Sequence, residues 1–139
     1  MPGKKKLLIV DDEENMRHFL KALLEQEGYN VFLAENGRIA IDILKSEKIS
    51  TTLCDIRMPE MDGMQFLKEI SARKIDTTVI TMSAYGTIDL AIETMKLGAY
   101  DYVSKPFKPD EILLTLIKAE ERESLKNENV DAFAKNAHD

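Results

Sequence analysis

Thr51-Thr52-Leu53-Cys54-Asp55-Ile56-Arg57-Met58-Pro59 is an apolar stretch too short for a helix, closed by a carboxylate and then a proline turn. It reads as a buried strand with an acid, Asp55, at its carboxyl end. Working outward, a second such strand, Leu7-Leu8-Ile9-Val10, ends in Asp11 and Asp12, and a third, Tyr100 to Val103, is followed by Lys105. Two more runs start near Val31 and Val79. Between the strands lie stretches of helical period: Met16, Leu20, Leu23 and Leu24 with Phe19 flanking, before Gly28; Ile39, Ile43 and Leu44; and Met64, Leu67 and Ile70. Ile88, Ile92 and Met95 precede Gly98, and Ile112, Leu113, Leu116 and Ile117 come last. Five strand–helix units imply an α/β chain with a parallel sheet and right-handed crossovers. Periodicity leaves the strand order open. Such a sheet reverses its order somewhere, and ligands bind at the carboxyl ends of strands near that reversal. Asp11, Asp12, Asp55, Ser83 and Lys105 all fall at those ends.

The 139 residues suit one domain with a single core, and 44% hydrophobic content agrees. A net charge of -6 disfavours nucleic-acid binding by this segment, because phosphate backbones want a basic face. One cysteine excludes an internal disulfide and a zinc cluster, leaving the cytoplasm as the expected compartment. Behind the basic start, the first apolar run is too short for a signal peptide, and no later run could span a membrane. Residues 1–5 read as a flexible start and 6–125 as the domain. From about Glu120 the chain turns to Glu, Lys, Asn and Ala, so a solvated helix that frays is expected, with 126–139 a polar tail or linker.

Three carboxylates on one sheet edge need an offset: like charges 4 Å apart repel by about 4 kcal/mol at an effective dielectric near 20. Magnesium, or manganese in its place, is the natural candidate, held by one or two carboxylates together with phosphate oxygens. Asp12 and Asp55 suit the ligand role, with Asp11 on a coordinated water and a backbone carbonyl, that of Arg57, completing the set. The rest fits phosphoryl transfer to a carboxylate, where positioning and charge neutralisation matter more than a base. Lys105 would take one phosphoryl oxygen, and the Ser83 hydroxyl with the Ala84 amide another. Asp55, being central, is the nucleophile.

The set Val10-Asp11-Asp12-Glu13, Asp55-Ile56-Arg57-Met58-Pro59, Met82-Ser83-Ala84 and Val103-Ser104-Lys105-Pro106-Phe107 resembles the receiver domain of two-component response regulators. The resemblance implies a flavodoxin-like (βα)5 sandwich with strand order 2-1-3-4-5. It also implies phosphorylation of Asp55 by a sensor histidine kinase, a cis Lys105–Pro106 bond, and Tyr102 as an aromatic switch responding to Ser83. Ser83-Ala84-Tyr85-Gly86-Thr87, Ala91-Ile92-Glu93 and Lys96-Leu97-Gly98-Ala99-Tyr100-Asp101-Tyr102 are similar to receivers of enhancer-binding activators that work with an alternative sigma factor. That likeness implies transcriptional control and a homodimer, formed on phosphorylation through helix 4, strand 5 and helix 5.

Each signal alone has an ordinary reading. Asp11 to Glu14 would serve to cap the first helix, Asp55 to start a turn, Ser83 to cap, Lys105 to sit in a solvated loop and Tyr102 to pack. Cys54 alternates away from Asp55 and reads as an inert core residue; His18 and His138 lack metal partners. A phosphatase of haloacid-dehalogenase type is the enzyme alternative, but that class wants a second Asp where this chain has Arg57. A flavodoxin would need a Ser/Thr/Gly-rich loop where Asp11-Asp12-Glu13-Glu14-Asn15 stands.

Overall fold

Short aliphatic and β-branched runs form five strands, β1 Lys6–Val10, β2 Asn30–Ala34, β3 Thr51–Asp55, β4 Thr78–Ser83 and β5 Asp101–Ser104. Each is followed by a helix: α1 Glu14–Gln26, α2 Gly37–Ser46, α3 Gly63–Arg73, α4 Ile88–Lys96 and α5 Pro109–Ala137. The computed structural model describes residues 5–84 and 87–137, with side chains to residue 123. Tyr85, Gly86 and His138 lie outside the described residues. The chain divides into two compact units, Met1–Phe107 and Lys108–Asp139.

In the first unit all five strands are parallel, in the order β2-β1-β3-β4-β5. This is the flavodoxin-like order, and the chain reverses direction across the sheet between β1 and β3. Register puts Val10 opposite Cys54, Asp55 opposite Met82 and Ser83 opposite Ser104, so the functional ends are level. Side chains alternate between faces. Leu8, Val10, Cys54 and Val79 share one face with Ala40, Ile41 and Leu44 of α2 and Phe66, Leu67 and Ile70 of α3 in a single apolar cluster. Leu7, Ile9, Leu53 and Ile80, all fully buried, fill the other face, and α1 buries Leu20 and Leu24.

Several helix faces differ from the sequence expectation. The inward stripe of α2 is Ala40, Ile41 and Leu44, with Ile39 and Ile43 half-buried. On α4 the stripe read as a core face is the exposed one: Ile88 is 80%, Ile92 47% and Met95 44% exposed. Leu90, Ala91 and Thr94 have helical spacing too, and they form the less exposed side. Phe19 and Ile117 are likewise exposed. In the second unit α5 buries Ile112, Leu116 and Ala119 and extends past Glu120 as a helix to Ala137. No Gly or Pro follows Pro109, and the Ala, Glu, Lys and Leu of this stretch are good helix formers. Among the described residues, no helix is long and apolar enough to cross a membrane.

Candidate functional site

The carboxyl ends of β1 and β3 bring Asp11, Asp12 and Asp55 together, with a carboxylate oxygen from each lying within 4.8 Å of the others. Backbone bonds fix these ends: the Asp11 amide donates to Ala34 O at 3.1 Å and the Ile56 amide to Met82 O at 2.9 Å. Asp11 is fully buried and Asp12 is exposed. The capping reading fails in detail, because the N-cap of α1 is Glu13 and its side chain makes no cap bond. Asp11 Oδ1 instead accepts from the Glu13 amide at 2.9 Å, and Asp11 O accepts from Arg17 Nη1 at 2.8 Å.

Lys105 reaches into the acids from the end of β5. Its Nζ lies 2.6 Å from Asp11 Oδ2 and 3.3 Å from Asp55 Oδ2, with the side chain almost wholly buried. Its amide donates to Ser83 O at 2.9 Å, and the Lys105–Pro106 bond is cis, as the resemblance implied. Burial pulls the Lys105 pKa down, but the hydrogen bond and charge of Asp11, and then Asp55, outweigh it, so the net shift is upward. Burial pushes the Asp55 pKa up, Lys105 opposes this and Asp11 adds to it; the net shift is upward. A raised carboxylate beside two more acids is a group whose charge is under-compensated, and a divalent cation would supply what is missing. The donor set, all oxygen, fits magnesium or manganese rather than a soft metal.

Asp55 Oδ1 accepts from the Arg57 amide at 3.3 Å, which curls the β3–α3 turn over the strand end. Ser83 is buried at the end of β4 and Ala84 is exposed in the turn after it. Tyr102, opposite Thr81, is half-buried, and its hydroxyl is buried without a hydrogen-bond partner among the described residues. Cys54 is buried; burial, then Asp55, Asp11 and Asp62, hold its pKa well above the ordinary value, so it stays a thiol. A groove of 560 Å³ between Asp12, the Ile56–Pro59 turn, Asp62 and Leu90 opens beside the acids.

Sequence reasoning missed the residues that seat this turn. A Cβ on Gly63 would stand 2.7 Å from Ile56 Cα and 2.9 Å from Asp55 O, so only glycine lets α3 start against the strand end. Asp62 and Gln65 form a reciprocal capping box there, and that spacing was the available signal. From α2, Asn36 caps its own helix at Ile39 N and donates to Glu60 Oε2 at 3.4 Å, while the Gly37 amide donates to Met61 O at 3.3 Å. Glu60 itself sits in the left-handed region with φ 65°.

Residues 7–117 match the response regulator receiver domain family. The chain is 41% identical over 128 residues to the regulatory protein AtoC of Escherichia coli K12, covering 92% of this chain and 28% of that protein. It is 43% identical over 113 residues to the transcriptional regulatory protein ZraR of the same organism, covering 81% of this chain and 26% of that protein. Among solved structures, NtrX from Brucella abortus superposes with a TM-score of 0.86 at 30% identity, over 92% of this chain and 30% of that one. The receiver domain of a Luxo repressor protein from Vibrio parahaemolyticus gives 0.85 at 29% identity, over 89% of this chain and 95% of that one. The chain thus spans under a third of the curated relatives it matches. These matches support the receiver reading and not the phosphatase alternative. With its sheet order, its acid cluster and this family match, the chain is a response regulator receiver domain, a signalling domain.

Proposed function

We propose that Asp55 accepts a phosphoryl group from a sensor histidine kinase in a magnesium-dependent reaction and that the modified chain switches an output surface. The observation that carries this is the Lys105 ammonium, held at 3.3 Å from Asp55 and 2.6 Å from Asp11 beside a cluster of three acids. Burial makes the Asp55 carboxylate poorly solvated, which favours attack, and Lys105 is placed to meet charge on the incoming group. The phosphorus–nitrogen bond to the donor imidazole breaks as the bond to an Asp55 oxygen forms, and the imidazole leaves with its electron pair. Lys105 then holds one phosphoryl oxygen, and the Ser83 hydroxyl with the Ala84 amide holds another. Asp12, Asp55 and the Arg57 carbonyl are the residues that would hold the metal, with Asp11 on a bound water. Magnesium or manganese, when bound, neutralises the acids and one phosphoryl oxygen. The groove beside Asp12 and Arg57 gives a donor its approach.

The receiver proper spans 6–125, with 126–139 a polar tail or linker. Ser83 and Tyr102 form the switch; the unpartnered Tyr102 hydroxyl supports this, since a buried orphan is a cost that a second conformation can relieve. The output is a homodimer through α4, β5 and α5, supported on α4 by its exposed Ile88, Ile92 and Met95. The setting is cytoplasmic transcriptional control of the kind exerted by enhancer-binding activators that work with an alternative sigma factor; nucleic acid is not bound by this segment. The chain processes no metabolite and turns over only its own phosphate.

Mass spectrometry after incubation with acetyl phosphate and Mg2+ is expected to show one added phosphate on Asp55, and none on Asp55→Ala. Uptake by Asp55→Asn at the same stoichiometry would make the nucleophile assignment wrong.

A further inference from the structure

α4 is attached to its sheet differently from α1, α2 and α3. Those helices bury Leu20 and Leu24, Ile41 and Leu44, and Phe66, Leu67 and Ile70 respectively, whereas Thr94 is the only buried residue of α4. Its large apolar side chains at Ile88, Ile92 and Met95 point outward. What it offers the sheet is a hydroxyl. Thr94 Oγ1 lies 3.1 Å from Thr81 Oγ1 on β4, and both residues are fully buried. The Thr94 hydroxyl is also 2.9 Å from Ala91 O in its own helix, and the Thr81 hydroxyl is 3.4 Å from Asp101 O on β5.

Two hydroxyl protons therefore serve three contacts. In one arrangement Thr94 donates to Ala91 O and Thr81 donates to Thr94; in the other Thr94 donates to Thr81 and Thr81 donates to Asp101 O. Either keeps the bond between helix and strand. Severing it leaves Thr94 its own-helix carbonyl and Thr81 only the 3.4 Å contact to Asp101 O, long for a hydroxyl hydrogen bond, so up to about one net hydrogen bond is lost while neither proton is orphaned outright. Large apolar anchors offer no such exchange.

The location of Thr81 gives this bond a consequence. Thr81 stands opposite Tyr102 on β5, precedes Met82, which stands opposite Asp55, and shares a face with Ser83 two residues on. We propose that Thr94 is a positioning residue: the Thr81–Thr94 hydroxyl pair holds α4 in the place it has while Asp55 is unmodified, and so sets how readily a phosphoryl group at Asp55 shifts that helix. This rests on the reading of Asp55 as phosphoacceptor. A ligand gains apparent affinity when the state it disfavours loses a bond.

The test titrates the whole chain with beryllofluoride in the presence of Mg2+, followed by amide chemical shifts. Thr94→Val, which keeps the shape and removes the hydroxyl, is expected to bind the mimic about fivefold more tightly, the effect of one net hydrogen bond. Thr94→Ser restores the hydroxyl and is expected to return to within about twofold of the parent. Thr81→Val tightens binding similarly, and the double variant adds little, because both remove the same bond. Affinity for Mg2+ alone stays at the parent value, which a general loosening of the fold would not permit. Unchanged beryllofluoride affinity in folded Thr94→Val and Thr81→Val overturns the proposal while leaving the phosphoacceptor reading intact. Parent chain that binds no beryllofluoride at Asp55 overturns that reading, and this proposal with it.

Discussion

At the scale of single residues, the site is a balance that its own unmodified form does not fully satisfy. Asp55 has a pKa raised above its ordinary 3.8, mainly by burial, with Lys105 opposing. The folded state then binds the proton more tightly than the unfolded chain, so stability falls as pH rises from about the unfolded value through the folded one, and the ionised carboxylate is a net cost at neutral pH. In chelator at pH 7, Asp55→Asn is therefore expected to melt higher than the parent, and the gain should shrink as the pH is taken down towards 4. Added Mg2+ reverses the ranking. A metal bound only by the folded state stabilises by about 2.7 kcal/mol at a hundredfold excess over its Kd, and the amide, having lost the charge, recovers much less of this. Calorimetric melts with and without Mg2+ check both halves, and a variant that gains as much from Mg2+ as the parent removes Asp55 from the ligand set. Gly63 belongs to the same scale. Alanine there must push Ile56 and the Asp55 carbonyl away, which is expected to cost about 1–3 kcal/mol in urea unfolding and to weaken Mg2+ binding, since the Arg57 turn moves with them. Lost stability at unchanged Mg2+ affinity would show that the turn does not carry a ligand.

At the scale of elements, periodicity located every strand and helix but did not say which stripe of a helix faces inward. For α3 the reading is nearly right, because Leu67 and Ile70 are both long and buried, whereas Met64 is half-buried and Phe66 takes the inward place instead. For α4 it was inverted. Ile88, Ile92 and Met95 carry the hydrophobic signal, yet the helix seats itself on small residues and a threonine. Spacing sees greasiness, whereas packing sees shape and polar partners, so a helix whose apolar side is kept for the surface defeats the rule. The acid cluster was legible because strand ends are fixed by abrupt changes of residue type, as at Val10-Asp11 and Cys54-Asp55; the Asn36 and Gly37 buttress was not, since it joins two loops with no shared pattern. Two substitutions test the corrected faces. Ile92→Gln should change unfolding free energy by no more than about 0.5 kcal/mol, as expected at an exposed position. Ile41→Ala, in the apolar cluster, should cost about 2–5 kcal/mol. A large loss at Ile92 would mean its side chain is covered in solution.

For the whole molecule, the interest lies in how an acidic chain associates with itself. Each copy carries a formal charge of -6, and turning the Asp55 carboxylate, about -1, into an acyl phosphate, about -1.5 to -2, removes none of it, so the acidic copies still repel as phosphorylation promotes the proposed dimer. Something uncharged must carry the interface. Ile88, Ile92 and Met95 are the apolar side chains that α4 leaves exposed, and burial of such surface is insensitive to moderate salt. Repulsion between exposed charges is not, because the Debye length falls from about 30 Å at 0.01 M to about 8 Å at 0.15 M ionic strength. The two contributions separate in one experiment. Sedimentation equilibrium of the beryllofluoride-treated chain with Mg2+ is expected to show dimerisation that tightens severalfold between those two ionic strengths, and Ile92→Gln is expected to weaken it at both. Dimerisation that loosens with salt would show ion pairs carrying the interface, and the apolar face of α4 would then need another occupant.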